Sequence, residues 1–273
     1  MVRVITLLLL ISPLSFAGDN EVSIITKGTN NQITTKQIGN GNTTNILCGA
    51  NSSGSVPGSN YTSHSCTNAV WNVSVDGNSN SVRMYTVWSN NIGNDSTITI
   101  EGNDNFAYID QDEDDNTVTI TQTGNSNHAE ALGSGDDNVY STTQTGNNKY
   151  SKIFFFGDDS DITVNQYGTG THNSYIYGNG IAHNNSVNVI QYGSGNKDAD
   201  IFFYSADNDV DLTQYETGAH VANMKFYTTD YNVDVTQLGS TNQTYTATFN
   251  CSQNCTKTIS ITQQWKEIKL ETA

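Results

Sequence analysis

Residues 116–124 run Asn116-Thr117-Val118-Thr119-Ile120-Thr121-Gln122-Thr123-Gly124, and the same order of residue types returns 22 residues later at Tyr140, Thr142, Gln144 and Gly146, then at Ile162, Val164, Gln166 and Gly168. The glutamines continue at Gln191, Gln214, Gln237 and Gln263, at intervals of 25, 23, 23 and 26 residues. Four places before them stand Val118, Tyr140, Ile162, Val187, Val210, Val233 and Ile259, and two places before them Ile120, Thr142, Val164, Val189, Leu212, Val235 and Ile261. The residues between are polar, among them Thr119, Thr163, Asn188, Asp211 and Asp234. Apolar–polar alternation at period two marks a strand with one buried face. Each unit therefore opens with a strand that buries an aliphatic residue and then a glutamine. A glycine follows at Gly124, Gly146, Gly168, Gly193 and Gly239, where it permits a tight turn, often beside an asparagine such as Asn125 or Asn147.

A second apolar segment lies about ten residues after each glutamine. It holds Leu132, Phe154, Ile176, Ile201 and Met224, with Phe156, Phe203, Phe226 and Phe249 in a further aromatic column. Each unit is thus strand–turn–strand–turn, and two short strands cannot bury a face until neighbouring units stack. The pattern extends upstream through Val22, Ile24, Gly28, Asn31, Ile33 and Gln37, through Trp71, Val73, Val75, Gly77, Asn80 and Val82, and through Ile98, Ile100, Gly102, Asn105, Ala107 and Gln111. The fold expected is all-β: a β-solenoid of about nine or ten strand–turn–strand repeats of 22–26 residues over 18–273, with an inserted loop at 47–68. Coils stack at about 4.8 Å, so each glutamine amide meets those above and below. A paired ladder removes the cost of burying the amide and fixes the register.

Composition bounds the function. The chain of 273 residues carries only two prolines, and its formal charge of −16 gives no surface to neutralise nucleic-acid phosphates. Arg3, the apolar run Val4–Ile11 and the small residues Ser15 and Ala17 read as a signal peptide over 1–17, and no later stretch has the length of a membrane span. In an exported chain the four cysteines are expected to be oxidised. Cys48 and Cys66 bracket the insert, Cys251 and Cys255 bracket three residues, and local pairing is favoured among the three connectivities open to four cysteines.

These columns resemble the curlin repeat of curli, the extracellular amyloid fimbriae of Gram-negative bacteria, whose pattern runs Ser-x5-Gln-x-Gly-x-x-Asn-x-Ala-x3-Gln. Ser160 with Gln166 and Gly168 fits its opening, Gln122, Gly124, Asn127 and Ala129 follow it closely, and Gly102, Asn105, Ala107 and Gln111 match its second half. The second glutamine is replaced by Gly133, Phe155, Tyr177, Phe202, Lys225 and Thr248. The resemblance implies a secreted structural subunit of cell-surface fibres for adhesion and biofilm matrix. It also implies self-assembly into a homopolymer, a nucleating subunit and an outer-membrane secretion channel.

Other constellations are weighed against this. The pairs Asp114-Asp115, Asp136-Asp137 and Asp158-Asp159 recur at the turns and read first as solvated gatekeepers, with a pH- or Ca²⁺-gated role as the sharper alternative. His128, His172 and His220 stand six places after a glutamine in alternate units, too far apart at the coil spacing to share a metal. Acids that recur with the repeat do not look like an active site, and no nucleophile or metal motif occurs; no catalytic, metal or cofactor residue is expected. The competing class is a monomeric secreted β-solenoid adhesin or surface-binding module that uses the 48–66 insert as its contact loop.

Overall fold

The computed structural model describes residues 19–26, 28–29, 31–48, 66–86, 91–112, 116–135, 138–179, 183–204, 206–215, 219–227, 229–239, 243–250 and 256–264. Its elements are all strands, and no described helix is long and apolar enough to cross a membrane. The expected signal peptide, Asp114, Asp115, Asp136, Asp137, Cys251, Cys255 and most of the insert lie outside the described residues.

The chain is a β-solenoid. A ten-stranded sheet runs in chain order from Val22–Thr26 to Gln243–Phe249, and a six-stranded sheet from Val139–Ser141 to Lys257–Gln264. Neighbouring strands are parallel throughout, as in His172↔Lys197 and Gln191↔Gln214. Parallel pairing of like positions follows from the repeat: each coil returns the chain one strand spacing further along the axis, so equivalent residues stack. Between the sheets lies one continuous apolar core, with Val118, Ile120, Ile162, Val164, Val187, Val189, Val210, Leu212, Val233 and Val235 on the glutamine side.

Two features depart from the sequence reading. The glutamine-side segments keep their alternating burial, but up to Gln144 regular strand geometry covers at most their first residues, as in Gln32–Thr34, Val70–Asn72 and Val139–Ser141. Thr121, Gln122, Thr123, Thr143, Gln144 and Thr145 all have positive φ. These left-handed residues turn their peptide groups away from the pleat, and single bonds between coils remain, such as Gln144 N–H to Thr121 O at 2.9 Å and Gly146 N–H to Thr123 O at 2.7 Å. Threonine is a costly occupant of that region, and it persists here where coils on both sides fix the backbone.

The second departure is a change of turn length. In the earlier coils glycine is followed by an asparagine that takes the left-handed conformation: Asn78 (φ 88°), Asn103 (83°), Asn125 (87°) and Asn147 (77°). After Gln166 and Gln191 the turn reads Gly-x-Gly, and Gly168 (φ 73°), Gly170 (128°), Gly193 (61°) and Gly195 (125°) take the positive angles themselves; the turns after Gln214 and Gln237 have the same length with other residues. This turn is one residue longer, so every later column shifts by one place relative to the glutamine. Leu132 and Phe154 therefore do not share a column with Ile176, Ile201 and Met224. Ala131 and Ile153 do, since Ala131 pairs with Ile153 and Ile153 with Ile176. Likewise Phe155, not Phe156, precedes Phe203, Phe226 and Phe249 in the buried aromatic column, and Phe156 is 46% exposed.

Candidate functional site: the ladder columns

The glutamine column is a hydrogen-bonded stack. Gln122, Gln144, Gln166, Gln191, Gln214 and Gln237 are fully buried. Gln122 Nε2 donates to Gln144 Oε1 at 2.7 Å, Gln144 to Gln166 at 2.8 Å and Gln166 to Gln191 at 3.2 Å. Gln237 donates the other way, to Gln214 at 2.8 Å, and half-buried Gln263 donates to Gln237. The amides from Gln144 to Gln237 also close their own turns, as where Gln144 Nε2 donates to Tyr150 O, Gln191 to Asp198 O and Gln214 to Val221 O. Donors on the early side point toward the C-terminal coils and those on the late side toward the N-terminal coils. The two senses meet at Gln191 and Gln214, which both accept. Upstream, Gln111 takes a different partner, Ser96 Oγ at 2.7 Å.

The glycines Gly77, Gly102, Gly124, Gly146, Gly168, Gly193 and Gly239 all sit at the turn that follows this column, and two asparagine ladders line its earlier members. One is exposed: Asn78 N–H donates to Asn103 Oδ1, Asn103 to Asn125 and Asn125 to Asn147, each at 2.6 Å. The other is buried: Asn80 Nδ2 donates to Asn42 Oδ1 at 2.8 Å, Asn105 to Asn80 at 2.7 Å and Asn127 to Asn105 at 2.9 Å. After Asn127 the same inward position carries Lys149, His172, Lys197, His220 and Gln243. Sequence reasoning missed this column because the longer turn displaces it. His128 does not belong to it: His128 stacks in an outward row between Phe106 (4.7 Å) and Tyr150 (4.8 Å), with Glu130 at 3.9 Å.

Aromatic columns complete the set. Inside, Phe203, Phe226 and Phe249 stack nearly parallel, 5.7 and 5.1 Å apart. Outside, Tyr167, Tyr192 and Tyr215 follow the glutamines at 6.3 and 5.9 Å, and Tyr204 lies flat on Tyr227 at 4.3 Å. Of the acidic turn pairs, Asp158 and Asp159 are described. Asp158 caps the backbone of His183 at 2.7 Å, and Asp159 takes a left-handed turn position (φ 53°). Among the described residues no cluster of metal-ligating side chains occurs, and no described cysteine is a free thiol.

The unit bounded by Asn116 and Gly146 holds two glutamine-side segments, a glycine after each glutamine and the outer strand Ala129–Ser134 between them. Residues 114–146 match the family model described as the curlin associated repeat. The chain carries a curlin repeat. The match stops at Gly146; the later coils keep a glutamine at the same place but have the longer turn. Comparisons with curated proteins and with solved structures return no match.

Proposed function

We propose that this protein is a secreted structural subunit of curli-like amyloid fibres, a non-catalytic building block for cell adhesion and biofilm matrix. The observation that carries the reading is the combination of the curlin repeat with ladders that run along the coil axis to both ends. Among the described residues the first and last strands of the ten-stranded sheet, Val22–Thr26 and Gln243–Phe249, each have one neighbour, and each would offer a parallel edge to a second copy. Gln263 continues the glutamine column at the C-terminal end, where Ile259 and Ile261 are only partly covered. End-to-end stacking would extend the backbone ladder and the amide columns together. Export through a signal peptide over 1–17, an outer-membrane channel and a nucleating subunit belong to the same proposal.

A Cys48–Cys66 bridge that closes the insert is part of it. Thr26 pairs with Cys48 and Gly28 with Cys66, so the two cysteines follow positions two residues apart in the coil below. Extended chain spans roughly 6–7 Å over two residues, close to the usual Cα separation of a disulfide. Cys48 is fully buried and disulfide-bonded.

The test is thioflavin-T fluorescence of the purified oxidised chain, with and without preformed seeds. A seedable rise with a cross-β reflection supports a fibre subunit. A folded monomer that gives a flat trace even with seeds would refute self-polymerisation and favour the surface-binding module.

A further inference from the structure

The inward position that ends the glycine turn changes character half-way along the solenoid. Asn42, Asn80, Asn105 and Asn127 fill it first, then Lys149, His172, Lys197 and His220. All four basic residues are at most 1% exposed. His172 pairs with Lys197 and Lys197 with His220, while Lys149 lies one coil before His172 because Ser151 pairs with Ser174. At a coil spacing of about 4.8 Å, His172 sits between two ammonium-bearing coils. We propose that this column is an acid-sensitive section of the fold: protonation of its imidazoles opens the coils from 149 to 226, while the asparagine-laddered coils before it stay closed.

Within the column the added charge meets no carboxylate; backbone hydrogen bonds at Asn196 and Tyr167 favour the protonated His172 ring but weigh less than its burial and the two lysines. Toward the core the neighbours are Ser151, Ser174, Ala199 and Ala222 on the same strands and the amides of Gln144, Gln166, Gln191 and Gln214 across the coil. The lysines are held by turn carbonyls, Lys149 Nζ donating to Asn147 O at 2.9 Å and Lys197 Nζ to Gly195 O at 3.1 Å. Tyr245, the buried phenol of the next coil, stays neutral throughout the acid range, because burial raises it. No aspartate or glutamate shares this inward column among the described residues. Asp198, adjacent to Lys197, lies on the outward face, and its own carboxyl is raised by burial and by Asp200. A neutral imidazole can share this column with two lysines, whereas an imidazolium adds a like charge in a desolvated row.

The direction follows from His172. Burial first, then Lys149 and Lys197, push its imidazole down from 6.5 to about 4. The folded state thus refuses a proton that the unfolded chain accepts. Stability is complete above pH 6.5 and is lost as pH falls toward 4. In the earlier coils Asp110 responds with the opposite sign. Burial and then Asp112 raise its carboxyl from 3.8 to about 6, so the folded state gains on acidification through that range. In the later coils Asp198 and Asp211 are raised as well and offset part of the loss, so the His172 contribution is what separates the two sections.

Hydrogen–deuterium exchange of the full chain, read peptide by peptide and corrected for intrinsic rates, tests this. Between pH 6.5 and pH 4, protection of amides 172–226 should fall by roughly 80-fold, the change across that window for one histidine lowered from 6.5 to about 4, while amides 69–111 keep theirs. His172→Gln, an amide like Gln243 in the same column, should abolish most of the fall. An equal loss along the whole chain, undiminished protection at pH 4, or an unchanged loss in H172Q would overturn the proposal. Ring C2-proton exchange in the unaltered protein gives a readout that needs no variant: His172 should titrate near 4, and a midpoint near 6.5 in the folded chain refutes it.

Discussion

Replacing Gln144 by leucine tests whether the glutamine column specifies the stack or merely occupies it. Gln144 is fully buried and makes four hydrogen bonds: it accepts from Gln122 Nε2 at 2.7 Å and His128 N–H at 3.2 Å, and donates to Tyr150 O at 2.7 Å and Gln166 Oε1 at 2.8 Å. Leucine has a similar volume but strands all four partners. A buried group left without its partner costs about 1–3 kcal/mol, and the added apolar burial returns roughly 1–2 kcal/mol. Some stranded groups relax toward solvent or toward each other, so the net loss should be about 3–6 kcal/mol. Coils touch only their neighbours, so the loss should centre on the units holding Gln122, Gln144 and Gln166 and fade beyond them. Urea unfolding followed by far-UV circular dichroism gives the total, and peptide-resolved hydrogen exchange gives the location. Exposed Asn148→Ala serves as the control and should move stability by about 0.5 kcal/mol or less. A Gln144→Leu chain within about 1 kcal/mol of the parent would show that packing alone sets the register, and the ladder argument would fail.

A Cβ on Gly178 would stand 2.3 Å from Phe155 Cζ, in a coil whose empty position lets Phe155 reach Phe203 at 5.7 Å. Gly178→Ala should therefore cost about 1–3 kcal/mol by overpacking, measured as a lower urea midpoint at unchanged slope. Burial pushes the Lys149 ammonium down from 10.5 to about 8, so the folded chain releases a proton that the unfolded chain still holds. Stability should rise by about 1.6 kcal/mol between pH 8 and 9.5, where the slope approaches 1.36 kcal/mol per pH unit, and Lys149→Asn, which restores the residue type of Asn127, should flatten that slope in denaturation at each pH. Asp110, raised to about 6, stabilises the fold below that value and loses the contribution as pH rises through it. Asp110→Asn should thus protect the strand Ala107–Gln111 at pH 7 and remove its pH dependence in hydrogen exchange.

The glutamine column and its aliphatic partners were legible because a polar residue at a strictly inward phase, with Val or Ile two and four places earlier, has few structural readings other than a stacked amide. The outer strands were legible as strands but not in phase. Counting from the glutamine assumes a constant turn, and the Gly-x-Gly turns add a residue, which carried Leu132, Phe154 and Phe156 to the outward side of the register and grouped His128 with His172 and His220. The signal that resolves it is in the sequence: asparagine after glycine at Asn125 and Asn147, threonine or serine followed by a second glycine at Thr169-Gly170 and Ser194-Gly195. Lys149 and Lys197 were illegible for another reason. Lysine is so seldom buried that neither residue suggests an interior place until the stacked turns supply the carbonyls of Asn147 and Gly195. The left-handed run at Thr121–Thr123 was hidden because β-branched residues argue for ordinary strand.

The alternation Lys149, His172, Lys197, His220 means that the C-terminal section repeats every two coils rather than every one. A duplication or deletion of a single unit there would set lysine directly against lysine, or histidine against histidine, inside the core. Units could be gained or lost in pairs without that conflict, whereas the asparagine section tolerates any number. Length variants of this chain, whether drawn from evolution or built by recombination, should therefore be even-numbered on one side of Asn147 and unconstrained on the other.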